Sequence, residues 1–382
     1  MRNIKLPEGW RVEKLGSFTE IRSGGTPSRN NNKFWENGNI PWLKISDLKT
    51  KYIKESEEKI TNEAIDKSSA KVFKKGTILY TIFATLGEVA ILDIEASTNQ
   101  AIVGIDIKVE NVNKKYLYYF LKSIKEDICG KGRGVAQNNI NMSILKNTDV
   151  LLPPIETQKK IVEILEHAEK VLEKRKKTIR LIDELVKSQF IEMFGDPNMN
   201  NKGWNRRRIS EVCENKDSNR VPLKQADRDK RDGEYPYYGA TGIIDYIDDY
   251  IFDGLYLLIA EDGKNLETKN KDIAFLAQDK FWVNNHAHVV CATKESNLYY
   301  LKYVINNINL KPYITGIDQL KLNRSNLDKI IINVPPIELQ NQFANFVKQV
   351  DKLKFEMEES LKELENNFNS LMQSAFKGEL FK

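Results

Sequence analysis

Pro153-Pro154-Ile155-Glu156-Thr157-Gln158 opens a run that reaches Phe194 with no further proline and no glycine. Pro335-Pro336-Ile337-Glu338-Leu339-Gln340 opens a second run of the same kind, reaching Phe376. Proline fixes φ and lacks an amide donor, so a Pro-Pro pair suits the approach to a helix and not its interior. Gly195 and Gly378, the residue type that closes helices, follow the two runs. The copies lie 182 residues apart, and the same offset aligns Lys170 with Lys352, Ser188 with Ser370 and Phe194 with Phe376. Two long helices of one design dominate what this chain can become.

Each run carries an apolar stripe. In the second, Phe343, Val350, Met357, Leu364 and Leu371 recur every seven residues, with Phe346 and Leu353, then Leu361 and Phe368, at the companion position. In the first, Ile161, Ile164, Ala168, Val171, Ile179, Ile182, Leu185 and Val186 trace the stripe, interrupted by Arg175 and Gln189. A stripe this sustained predicts a coiled coil, each helix a rod of about 58 Å. The alternative is two ordinary amphipathic helices in separate cores. The apolar ends (Phe190, Met193, Phe194; Phe376, Leu380, Phe381) are expected to need a partner's cover.

The repeat extends upstream. The 182-residue offset also pairs Gly134 with Gly316, Gln137 with Gln319, Ile140 with Leu322, Asn141 with Asn323 and Leu145 with Leu327. Farther back the register slips by a few residues, as loop insertions cause. Tyr118-Tyr119 matches Tyr299-Tyr300, Asn99-Gln100-Ala101 matches Asn285-His286-Ala287, and Gly9-Trp10 matches Gly203-Trp204. One unit is therefore used twice: a globular module at 1–152 and a helix at 153–196, then a module at 197–334 and a helix at 335–382. Strands and helices mix in each module, giving an α/β (α+β) class.

No apolar run approaches membrane-span length, and the start at Met1 has no apolar signal region. Cys129, Cys213 and Cys291 are isolated, as expected in a reducing cytoplasm. The net charge of +5 is uneven: residues 1–152 hold 24 Lys+Arg against 18 Asp+Glu, and residues 197–334 hold 20 against 19. That is a mild electrostatic footprint for nucleic acid.

In chain order, residues 6–22 predict a short helix after a turn, from Val12, Leu15, Phe18 and Ile21. Residues 24–32, dense in Gly, Pro and Asn, must be a loop whose hydroxyls, Arg29 and Asn side chains suit phosphates and base edges; a merely solvated loop is the alternative. Residues 40–48 look extended; 77–82, 89–92 and 101–109 read as strands; 116–128 as a helix. A basic glycine loop follows at 130–134. In the second module, 235–242 predicts a tight aromatic-glycine turn, 255–260 a buried strand and 298–308 a helix.

Catalytic patterns do not assemble. His286 and His288, two apart with Cys291 near, would share one side of a strand, but the matching first-module positions are Gln100 and Ile102, which carry no such ligands. Residues 130–134 lack the Gly-Lys-Ser/Thr ending of a phosphate loop. Asp196-Pro197-Asn198-Met199 shares only its first two residues with the methyltransferase Asp-Pro-Pro-Tyr motif. A binding or scaffold role is expected, not an enzyme.

Taken together, both Pro-Pro-Ile-Glu-x-Gln helices, the Gly-x-x-Gln-x-x-Ile/Leu-Asn signature before each, and the Gly-Trp openings resemble the specificity subunit of a type I restriction–modification system. So do Gly24-Gly25-Thr26-Pro27-Ser28 with Gly38-Asn39-Ile40-Pro41-Trp42, and Tyr235-Pro236-Tyr237-Tyr238-Gly239-Ala240-Thr241-Gly242 with Trp282-Val283-Asn284-Asn285-His286-Ala287. The resemblance covers essentially the whole chain. It implies a non-catalytic subunit whose two target recognition domains, held by antiparallel coiled-coil helices about a pseudo-twofold, each read half of a bipartite site in double-stranded DNA. It implies methyltransferase subunits, expected as two, and restriction subunits as partners, with S-adenosylmethionine, ATP and Mg on those partners and no cofactor here. The rivals are a coiled-coil adaptor with two protein-binding modules, and an endonuclease-type specificity domain lacking its catalytic region. Loop chemistry nominates Gly25, Thr26, Ser28, Arg29, Asn30, Lys131, Arg133, Tyr237, Tyr238, Lys264, Asn265, Asn285 and His286 for DNA contact. Gln137, Asn141, Gln319 and Asn323 recur in both modules and are expected to fix a shared turn.

Overall fold

A computed structural model of the chain describes residues 7–126, 128 and 140–381. Lys131, Arg133, Cys129, Gln137 and the basic glycine loop lie outside the described residues. The chain divides into two compact units, Met1–Lys176 with Ser360–Lys382, and Lys177–Glu359. Each long helix therefore contributes to both units instead of forming a body of its own.

The first unit opens with a correction. Residues 6–22 are not one helix: strand Arg11–Lys14 pairs with Asp149–Leu152, a single turn spans Leu15–Phe18, and strand Thr19–Ser23 follows. Leu15, Phe18 and Ile21 are buried but Val12 is exposed, because it takes an outward place in the alternation of strand Arg11–Lys14. A strand–turn–strand can thus imitate helical spacing. Thr19–Ser23 edges a five-stranded sheet, in which Ile102–Ile107, Ile78–Thr81, Val89–Leu92 and Tyr52–Ile53 come next in order. Ile78–Thr81 is buried on both faces. Ile78 and Tyr80 pack with Tyr116, Leu117 and Phe120 of helix Lys114–Ser123, while Leu79 packs with Leu43 and Phe73 beneath a four-stranded sheet. In that second sheet Ile40–Leu43 runs parallel to Ala96–Thr98; the expected extended stretch 40–48 ends early, in a short 3₁₀ turn at Ile45–Asp47.

The second unit repeats the plan. Asn205–Arg208 pairs with Ile331–Val334, a single turn spans Ile209–Val212, and Cys213–Asn215 edges a sheet with Ala287–Ala292, Tyr256–Ala260 and Ala274–Ala277. In its companion sheet Asp232–Gly239 runs parallel to Lys280–Val283. Residues 235–242 are therefore a strand leading into a hairpin, not a free turn. The chain is α+β, with one mixed module built twice.

The long helices span Ile155–Phe194 and Ile337–Lys377, 40 and 41 residues. Gly195 and Gly378 end them with φ of +78° and +74°, the left-handed conformation that glycine adopts without steric cost. Both proline-led openings use their glutamine identically. Gln158 is fully buried; its Oε1 accepts from the Asn113 amide at 2.8 Å, and its Nε2 donates to the carbonyls of Asn111 and Pro153 at 3.0 and 2.9 Å. Gln340 accepts from the Asn297 amide at 2.9 Å and donates to Glu295 and Pro335 carbonyls at 3.0 and 2.8 Å. Asn113 and Asn297 in turn cap helices Lys114–Ser123 and Leu298–Asn307. Tyr116 and Tyr300 complete each joint by donating to the Leu151 and Asn333 carbonyls. The repeat is thus a repeated lock between module and long helix.

The expected seam is buried at Ile161, Ile182, Phe343, Val350 and Phe368 and departs from expectation at three places. Val171, Leu185 and Leu353 are 37 %, 50 % and 45 % exposed, whereas Leu172 is buried and Val186 half-buried. Neighbouring apolar pairs leave the register ambiguous, and one residue is a rotation of about 100°. Beside Leu353 the inward place belongs to Lys354, whose ammonium reaches Asp183 at 2.6 Å. In the second unit that pair, with Phe190 against Phe343, sets the helices antiparallel. In the first unit Leu165 and Leu172 share a core with Phe368, Met372 and Ala375. Most of the apolar ends are covered within the chain itself. Phe190 and Phe194 are buried with Tyr300 and Phe343, and Phe376 meets Tyr116 and Phe120 edge-on; Phe381 stays exposed.

Candidate nucleic-acid interface

Strand register decides which loops meet. In the first unit Ile102 pairs with Thr81, so residues 82–88 and 99–101 emerge at one end of the five-stranded sheet. The glycine loop joins them there through its backbone: the Gly24 amide donates to the Ile102 carbonyl at 3.0 Å and the Gly25 amide to Thr98 at 2.9 Å. A Cβ on Gly24 would lie 2.1 Å from Thr98 Oγ1, and one on Gly25 2.4 Å from the Ser69 backbone, so only glycine permits this approach. Gly25 is buried and its carbonyl accepts from Trp42 Nε1 at 3.1 Å; it anchors the loop and is unavailable to a base. Thr26 donates to Gln100 Oε1, and the exposed tip is Ser28-Arg29-Asn30.

Arg29 is held in place. Its guanidinium lies 3.7 Å from the Trp35 ring centroid and 4.9 Å from that of Trp42, and pairs with Glu58. The Arg29 hydrogen bond is the main force holding the Glu58 carboxyl below its ordinary range; burial opposes it and Lys44 assists. Stacked and half-exposed, the planar fork keeps donors at the surface, the geometry suited to phosphate or guanine edges. At the same sheet end Phe83-Ala84-Thr85 forms a second exposed tip, with Ala84 at φ +58°. Sequence reasoning missed this tip because Phe83, Ala84 and Thr85 continue the apolar strand before them, and Gly87 alone marks the turn.

In the second unit Ala260 pairs with Ala287, bringing residues 261–264 and 284–286 to the equivalent sheet end. Lys264 and Asn285 are exposed. His286 is half-exposed, its Nδ1 2.7 Å from Asp262 Oδ2 and its amide donating to Asn284 Oδ1 at 2.8 Å. Two nominations fail on burial or bonding. Tyr237 is fully buried, its hydroxyl accepting from the Leu223 amide at 2.9 Å beneath the Arg228 guanidinium; its strand position turns it inward. Asn265 spends its side chain on Lys271, donating to the carbonyl and accepting from the amide at 3.0 Å each. Tyr238 is half-buried against Phe275 and Phe281, and burial raises its phenol pKa.

The two histidines do not form a pair. His286 precedes strand Ala287–Ala292, whereas His288 lies inside it and is buried. His288 Nδ1 is 2.6 Å from Asp217 Oδ2, and its Nε2 donates to the Leu322 carbonyl at 2.7 Å, an atom that can only accept. Around it Arg220 pairs with Glu261 at 2.9 Å and Asp217 at 3.5 Å, and Lys321 reaches Glu261 at 3.1 Å. This buried charged group, invisible to periodicity, braces the loops that carry Lys264 and His286. Asn141 and Asn323 cap short helices, accepting from the Ile144 and Asn326 amides at 2.8 and 3.0 Å. They fix a shared turn, as expected.

Two copies of one module, each gathering polar and cationic loop tips at one sheet end, define a duplicated recognition protein. The chain matches the type I restriction modification DNA specificity domain twice, over residues 7–181 and 201–366, and it belongs to that family. It is 26 % identical to the type I restriction enzyme MjaIX specificity subunit of Methanocaldococcus jannaschii, over 90 % of this chain and 87 % of that one. It is 25 % identical to the EcoprrI specificity subunit of Escherichia coli, over 91 % and 90 %. In fold it is similar to the type I S subunit from M. genitalium, with a TM-score of 0.56, 17 % identity and 98 % of each chain covered. A chain solved in work on complex assembly of the type I R-M system gives a TM-score of 0.62 at 19 % identity, over 98 % of this chain and 100 % of that one. The chain is a non-catalytic specificity subunit. Among the described residues no helix is long and apolar enough to cross a membrane.

Proposed function

We propose that each module reads one half of a bipartite target in double-stranded DNA, and that the two halves differ. The observation that carries this is the same sheet end dressed differently: Ser28, Arg29, Asn30 and Gln100 in one module, Lys264, Asn285 and His286 in the other. Shared architecture with unlike tips is what two unlike half-sites require, since base edges are distinguished by the donor and acceptor pattern presented to them. Lys131 and Arg133 add cationic donors to the first module's reading. The chain docks methyltransferase subunits, two by our reading, together with restriction subunits. Those partners bring S-adenosylmethionine, ATP and Mg, and the assembly works on cytoplasmic DNA.

The test is substitution within the assembled methyltransferase. Arg29→Ala should relax one half-site and His286→Ala the other, each by about 1–3 kcal/mol of discrimination. Loss of affinity with unchanged sequence preference and a shallower salt slope would make that residue a phosphate contact instead. Relaxation of both half-sites by one substitution would contradict the division of labour.

A further inference from the structure

The second module's sheet end carries one more loop, and its tip is apolar. The Thr315 amide donates to the Lys321 carbonyl at 2.9 Å and the Lys321 amide returns the bond at 2.7 Å. The Gly263 amide donates to Leu320 at 3.1 Å and Leu322 to Glu261 at 2.7 Å, so the loop is stitched to the segment holding Asp262 and Lys264. Gly316 takes φ +93°, and a Cβ there would lie 2.1 Å from the Gln319 carbonyl; the turn is tight and needs glycine. At its tip Ile317 is 96 % exposed, against 73 % for Met199, the next most exposed large hydrophobic among the described residues.

Ile317 is not part of an apolar patch. Its loop neighbours Thr315, Asp318, Gln319 and Lys321 are polar and exposed, and the apolar ones, Ile314 and Leu320, are partly buried against the core. A protein-docking surface presents contiguous apolar area. A single β-branched side chain with few rotamers, rigidly displayed among polar groups, instead suits a narrow slot with apolar walls and a polar rim. A partly opened base-pair step is such a slot, and apolar wedges of this kind unstack DNA. The 182-residue offset places another β-branched aliphatic residue, Val135, at the corresponding place in the first module's sequence.

We propose that Ile317 inserts between base pairs at the second module's half-site, prying open one step so that Lys264, Asn285 and His286 reach their edges. This rests on the DNA-reading function proposed above. The test uses the chain assembled with its methyltransferase subunits and a duplex bearing its methylation motif. 2-Aminopurine is placed in turn at each position of the half-site altered by His286→Ala, the methylated adenine excepted. One position should brighten on binding with the wild type and stay quenched with Ile317→Ala, while Ile317→Leu retains the signal. Affinity should fall roughly tenfold for Ile317→Ala, the loss expected on truncating a buried aliphatic side chain. Specific binding with no responding position, or an undiminished response in Ile317→Ala, overturns the wedge and leaves the reading function standing. Absence of sequence-specific binding by the wild-type assembly overturns the reading function and the wedge with it.

Discussion

Replacing Gln340 with leucine tests the lock between module and long helix. The substitution shortens the side chain by one atom and removes three hydrogen bonds, of 2.9 Å from the Asn297 amide and of 3.0 and 2.8 Å to the Glu295 and Pro335 carbonyls. Glu295 lies at the surface and its carbonyl can turn to water, so the loss concentrates on the Asn297 amide and the buried Pro335 carbonyl. An unsatisfied buried group costs about 1–3 kcal/mol, and the added apolar burial offsets part of two such losses. A net local cost of about 2–3 kcal/mol follows, equivalent to roughly 30- to 150-fold faster amide exchange. Hydrogen exchange read at Asn297 and along the start of helix Leu298–Asn307 measures it. The Asn113 amide, held by Gln158, serves as an internal reference and should be unchanged; Gln158→Leu should give the reciprocal pattern. Unchanged exchange at Asn297, or equal acceleration at both sites, would refute the idea of two independent locks.

Acid should loosen the second unit. Burial opposes ionisation of Asp217, but hydrogen bonds from His288, the Val289 amide and Asn215 outweigh it and hold its carboxyl below the usual range; Glu261 is held down likewise, against burial, by Arg220 and Lys321. Folded-state pKa values below the unfolded ones stabilise the fold above about pH 4 and lose that stabilisation as pH falls through them. Protection of the Val289 amide should decline over that window, and Asp217→Asn should flatten the decline. Glu58→Gln should free the Arg29 guanidinium, strengthening DNA binding and steepening its salt dependence by up to about one phosphate contact, measured by titration at several salt concentrations. An unaltered slope would mean that Glu58 does not restrain Arg29.

Much of this was legible in residues alone. The repeat offset, the proline-led helix starts, the closing glycines and the buried strand Ile78–Thr81 are local signals, and each coincides with its element. Patterns that require a choice between neighbours were not. Residues 11–23 mimic helical spacing with two strands and one turn. Val171-Leu172 and Leu185-Val186 offer the seam two registers one residue apart, and only packing chooses. In the candidate site, polar loop composition picked out loops that gather at one sheet end in each unit, yet composition does not reveal which groups are already spent. Tyr237 is consumed by Leu223, Asn265 by Lys271 and Gly25 by Trp42, partners 14, 6 and 17 residues away. Ile317 escaped notice because a single apolar residue in a loop carries no periodicity.

The central claim is that one chain sets two unlike half-sites. Genome-wide mapping of adenine methylation in a host carrying this chain with its methyltransferase tests it most directly. The mapping is then repeated after exchange of residues 197–334 for the corresponding module of a related specificity subunit. The expected result is an asymmetric motif with an unspecified gap, in which the exchange rewrites one half and leaves the other intact. A contiguous motif, or an exchange that rewrites both halves or neither, would contradict the account.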